Sequence, residues 1–170
     1  MRTGTLSLLV LAAPAWAQQV ADCDGVPAVT DLVEPWEETS RPLGEGAIRL
    51  ALLHGAGEEG VKLLVLTLPP VEEAPAEEVP PAETLAAPPR HCRIVTEGGL
   101  GFASLDVGAA EVEEDPEAAT LTARVPALRF VPESTELEEL TLSLTFGVRD
   151  DSLVAALEGD EAAPDEGEAP

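Results

Sequence analysis

"TLSLTFGV", residues 141–148, decides how this chain is read. Leu142, Leu144, Phe146 and Val148 alternate with Thr141, Ser143 and Thr145, and Leu140 extends the apolar row by one step. A period of two sends successive side chains to opposite faces, so the stretch is predicted to be a strand with one buried and one wet face. "RDDS" then supplies a turn, and "LVAALEG" returns as a hairpin partner.

The same period recurs upstream. "AIRLALL" places Ile48, Leu50 and Leu52 on one side, and "VKLLVLTL" is apolar on both faces, as expected of a central strand. "HCRIVTE" and "LGFASLDV" flank Gly98-Gly99, which reads as a tight turn between two strands. "ATLTARV" alternates Leu121, Ala123 and Val125 against Thr120, Thr122 and Arg124, and "ALRFV" follows after Pro126. About eight short strands result, with weak helical signals only at "EEDPEAA" and from Thr30 to Glu38. The expected fold is all-β, a small antiparallel β-sandwich or barrel formed by one domain over residues 18–157.

Two segments break this pattern. Residues 69–90 hold seven prolines and five glutamates, a composition that favours an extended, solvated linker unable to bury enough apolar area to order itself. The tail, residues 158–170, carries six acids and no base, and is likewise expected to be disordered.

At the N-terminus, Arg2 precedes a short apolar block from Leu6 to Ala13, and Pro14 interrupts it before Ala15-Trp16-Ala17. The block is too short to span a membrane, which takes roughly 20 apolar residues. The A-x-A motif predicts a signal peptide over residues 1–17, cleaved between Ala17 and Gln18. A lipid anchor is not expected, because Asp22 rather than a small residue precedes Cys23. The mature protein is therefore expected in the bacterial periplasm or medium, without membrane insertion.

Export gives the two cysteines their reading. In an oxidising compartment, Cys23 and Cys92 are expected to pair. Neither a C-x-x-C redox pair nor a four-ligand zinc pattern is present. The net charge of −24, with Lys62 the only lysine, argues against nucleic-acid backbones and anionic lipid surfaces. It fits solubility in a salty medium or attraction to a basic partner.

Catalytic motifs are sparse. "LLHGAGEE" has the His-Gly pair of an esterase oxyanion loop, but no G-x-S-x-G elbow accompanies it, so His54 reads as a strand-end residue. His91 and Cys92 are consecutive and, in a strand, point to opposite faces, which disfavours them as a nucleophile pair, and His91 reads as a surface histidine. The acids of "EVEEDPE", around Asp115, and of "DCDG" lack the spacing of a calcium loop. Gly98, Gly99 and Gly101 do not open a phosphate-binding helix. No cofactor, metal site or catalytic residue is assigned. With no tyrosine, a sugar-stacking groove is not expected, and Trp36 in "VEPWEETSR" is the residue singled out for contact with a partner.

"LVEPWEETSR", "IRLALLH", "LLVLTLPP", "RHCRIV" and "GGLGFASLD", between Leu32 and Asp106, resemble segments of small secreted proteins of Rhodobacter-like alphaproteobacteria. The resemblance implies a secreted bacterial protein and brings no catalytic signature with it. The expected role is a non-catalytic structural or interaction module with a cell-envelope partner. The alternatives are a hydrolase using carboxylates or a histidine (His54, His91 or acids near Asp115), and a weak divalent-cation binder.

Overall fold

The computed structural model describes residues 18–25, 27–55, 60–68, 90–98, 101–131 and 134–158. The expected signal peptide, the linker except Arg90, and the tail after Glu158 lie outside them. Among the described residues, ten strands, numbered along the chain, form two antiparallel sheets. The first sheet orders β1 (Gln18–Asp22), β5 (His91–Glu97), β4 (Val61–Thr67), β3 (Ile48–His54) and β2 (Ser40–Leu43) side by side. The second orders β10 (Leu153–Glu158), β9 (Leu137–Gly147), β8 (Thr120–Phe130) and β6 (Ser104–Leu105), with β7 (Glu111–Asp115) also on β8. A bridge between Val61 and Phe102 joins the sheets at one corner.

Alternation builds the core between them. Leu50, Leu52, Leu63, Val65 and Val95 face inward from the first sheet, against Leu121, Ala123, Val125, Leu142, Leu144 and Phe146 from the second. This is a β-sandwich held by two inward faces. β4 is central and buried on both sides, because Ala51, Leu53 and Leu64 form a second cluster on its outer face. The chain from Cys23 to Leu32 crosses that face, running from the β1 edge to a bridge with Leu53 beside β3. A Cys23–Cys92 disulfide, with Cα atoms 5.5 Å apart, ties the start of this crossing to β5.

Several expectations need correction. Among the described residues, the stretch after Gly98-Gly99 does not pair with β5, whose neighbours are β1 and β4. "LGFASLDV" leaves β5 for the second sheet, where only Ser104 and Leu105 pair, with β8. Gly101 allows this passage: its φ is +109°, and a Cβ there would lie 2.6 Å from the Val61 carbonyl oxygen. "EEDPEAA" is not helical; it ends β7 and turns, with Asp115 Oδ1 accepting the amides of Glu117 and Ala118. Val148 lies past the end of β9 and is exposed, unlike the rest of its row. Pro126 does not separate two strands: β8 runs through it. Its carbonyl accepts Asp106 N–H. Its missing donor therefore falls on that same side, in the gap between β6 and β7.

Candidate functional site

Strand parity places His91, Arg93, Val95 and Glu97 on the inward side of β5, and Cys92 on the outward side. Val95 joins the core, while the charged residues before and after it need partners from the opposite sheet. At one end the partner is Asp151, in the turn between β9 and β10, held at φ 54°, which aspartate tolerates better than most residues. Its Oδ2 accepts Arg93 Nη2 at 2.5 Å and pairs with His91 Nδ1, while Oδ1 accepts the Thr67 hydroxyl at 2.7 Å. Burial pushes this carboxyl upward, but the hydrogen bonds from His91, Arg93 and Thr67 and the Arg93 charge outweigh it. The result is a value lowered from 3.8 to about 2. The neighbouring Asp150 is also lowered, chiefly by its bond from the Ser152 hydroxyl.

At the other end of β5, Arg129 of β8 reaches Glu97 at 3.5 Å and Glu138 of β9 at 2.8 Å. Across the molecule, Arg41 of β2 donates to the carbonyls of Gly108 and Ala110 at 2.7 and 2.6 Å. Three arginines thus lace the rims of the two sheets together.

Beside Asp151 a cleft of about 390 Å³ opens between the sheets, with Ile48, Leu121, Phe146 and Val148 as walls and Thr67 and Asp151 on one side. That volume is within the range of small-molecule sites. The His91–Asp151 pair has the form of a base and its orienting carboxylate. Among the described residues, however, no serine, threonine or cysteine is hydrogen-bonded to His91, and the Thr67 hydroxyl is given to Asp151 itself.

The residues picked from sequence are dispersed. His54 ends β3 and His91 begins β5; these strands run parallel to one another, so the two histidines stand at opposite ends of the sheet. Asp115 caps its own turn. Among the described residues no three His, Cys, Asp or Glu side chains gather as metal ligands. Trp36 opens a one-turn helix, α1 (Trp36–Thr39), and is 38% exposed, its ring 5.7 Å from the Arg49 guanidinium. Gln18 is the first residue of β1, and Ala17 lies outside the described residues. Among them, no helix is long and apolar enough to cross a membrane.

Asp151, Arg93 and Thr67 escaped the sequence reading. The signal available was parity: in "HCRIVTE" the charged residues share the face of Val95. No family model, curated protein or solved structure matches the chain.

Proposed function

We propose that this protein is an exported interaction module of the bacterial cell envelope, acting by holding a protein partner rather than by catalysis. The observation that carries the reading is the crossing segment after Cys23. The disulfide anchors it to β5, yet it presents Val29, 84% exposed, and α1 just after it presents the half-covered Trp36. An aromatic beside an arginine on a fixed surface is the composition of an interface anchor. The chain's polar chemistry supports the same reading. Both thiols are in the disulfide, and His91 and Arg93 are both engaged by Asp151.

The test is a photo-crosslinking residue at position 29 in the exported protein in its native cells, with one at position 154 as a control surface. One discrete adduct from position 29, reduced roughly tenfold by Trp36→Ala, is the expected result. A protein that stays monomeric and free of adducts from both positions would refute the reading. A second reading, a hydrolase with His91 as base, draws on the His91–Asp151 pair. Hydrolysis of chromogenic esters by the native protein, lost in His91→Ala, would favour it over partner binding.

A further inference from the structure

We propose that the cleft at the Asp151 end of the sandwich is a binding site for a small organic cation: a primary ammonium carried on an apolar chain. The inference is separate from the Trp36 surface, and either can fail alone.

The cleft has an apolar interior and an acidic rim. Leu68 and Val148 widen the wall formed by Ile48, Leu121 and Phe146, and the charged residues lining it are Glu45, Glu114 and Asp151, with no basic side chain among them. Asp151 is answered by Arg93 and His91. Glu114 is not answered. It pairs in register with Leu121, which puts it on the core side of β7 but at the exposed rim of the cleft, since β7 is exposed along its length. Arg93, Glu97, Arg129 and Glu138, also on inward rows, have ion-pair partners. Among the described residues, Glu114 and Glu45 have no ion pair.

A carboxylate at the mouth of an apolar cleft selects for a ligand that brings a positive charge and an apolar body together. A neutral solute would gain nothing from the acids, and an anion would be repelled by them. A bare metal ion would find two carboxylates and hydrocarbon, short of the six or so oxygens a hard cation wants. The chain's net charge of −24 further concentrates organic cations around the molecule.

The test uses the full chain, followed by amide chemical shifts and calorimetry, with hexylammonium chloride as probe and 1-hexanol and hexanoate as matched controls. Saturable hexylammonium binding is expected, with shifts at Thr67, Glu114 and Gly147, roughly tenfold tighter than hexanol and weaker again at ~0.5 M salt. Glu114→Gln and Glu45→Gln should each weaken it by about fivefold, with unchanged melting. Equal affinity for hexanol and hexylammonium would overturn the proposal. So would shifts spread over the acidic outer face of the second sheet, or a Glu114→Gln/Glu45→Gln double variant that binds as the parent does.

Discussion

Asp151 shows how one side chain joins two sheets. It gathers a histidine, an arginine and a threonine from β4 and β5 onto a turn of the opposite sheet. Its carboxyl is lowered to about 2 in the folded protein against an ordinary 3.8. The unfolded chain therefore takes up a proton first as pH falls. The stabilisation is fully present above pH 3.8 and is lost as pH drops through about 2. Asp151→Asn should flatten that acid limb of a stability–pH curve and cost about 1–3 kcal/mol at neutral pH, measured by urea denaturation. Gly101 poses a steric demand instead. An added methyl would sit 2.6 Å from the Val61 carbonyl oxygen at a φ of +109°. Gly101→Ala should cost ~1–3 kcal/mol in the same assay, by strain rather than by any lost contact.

Elements follow the period-two rule closely where one face is buried. Leu142, Leu144 and Phe146 are in the core, and Thr141, Ser143 and Thr145 take the other face as the alternation in 141–148 requires, although Ser143 is buried there rather than wet. Leu144→Ala should therefore destabilise by about 2–5 kcal/mol, whereas Thr141→Ala should stay within about 0.5 kcal/mol, by thermal or chemical melting. This alternation made the sandwich readable, together with the doubly apolar β4. What escaped reading has a common cause: local pattern carries no record of which sheet a strand joins. "LGFASLDV" looked like the partner of β5 across a glycine turn, but Phe102 is wholly buried at the corner where the chain changes sheets. The acids of "EVEED" hid a strand, since β7 is exposed along its length and lacks the apolar face that marks one. The cleft was equally hidden, because Glu114 and Asp151 meet only through folding.

Over the whole molecule, scarce basic residues do structural work. With nine Lys and Arg against thirty-three Asp and Glu, three arginines (Arg41, Arg93 and Arg129) close the sandwich rims. The disulfide spans 69 positions, and replacing both cysteines by serine should lower stability by about 4 kcal/mol, read from the shift in a denaturation midpoint. A thiol assay on unfolded native protein that finds two free sulfhydryls would contradict the pairing itself.

The register of β4 and β5 has one more implication. Thr67 sits directly opposite His91, so the chain leaves the sheet and re-enters it at neighbouring points. Trimming residues 69–89 to a four-residue glycine-rich connector should spare the sandwich and, by shortening the closure, add about 1.5 kcal/mol. The same position should accept a foreign peptide or a fluorescent tag with the melting midpoint of the sandwich preserved.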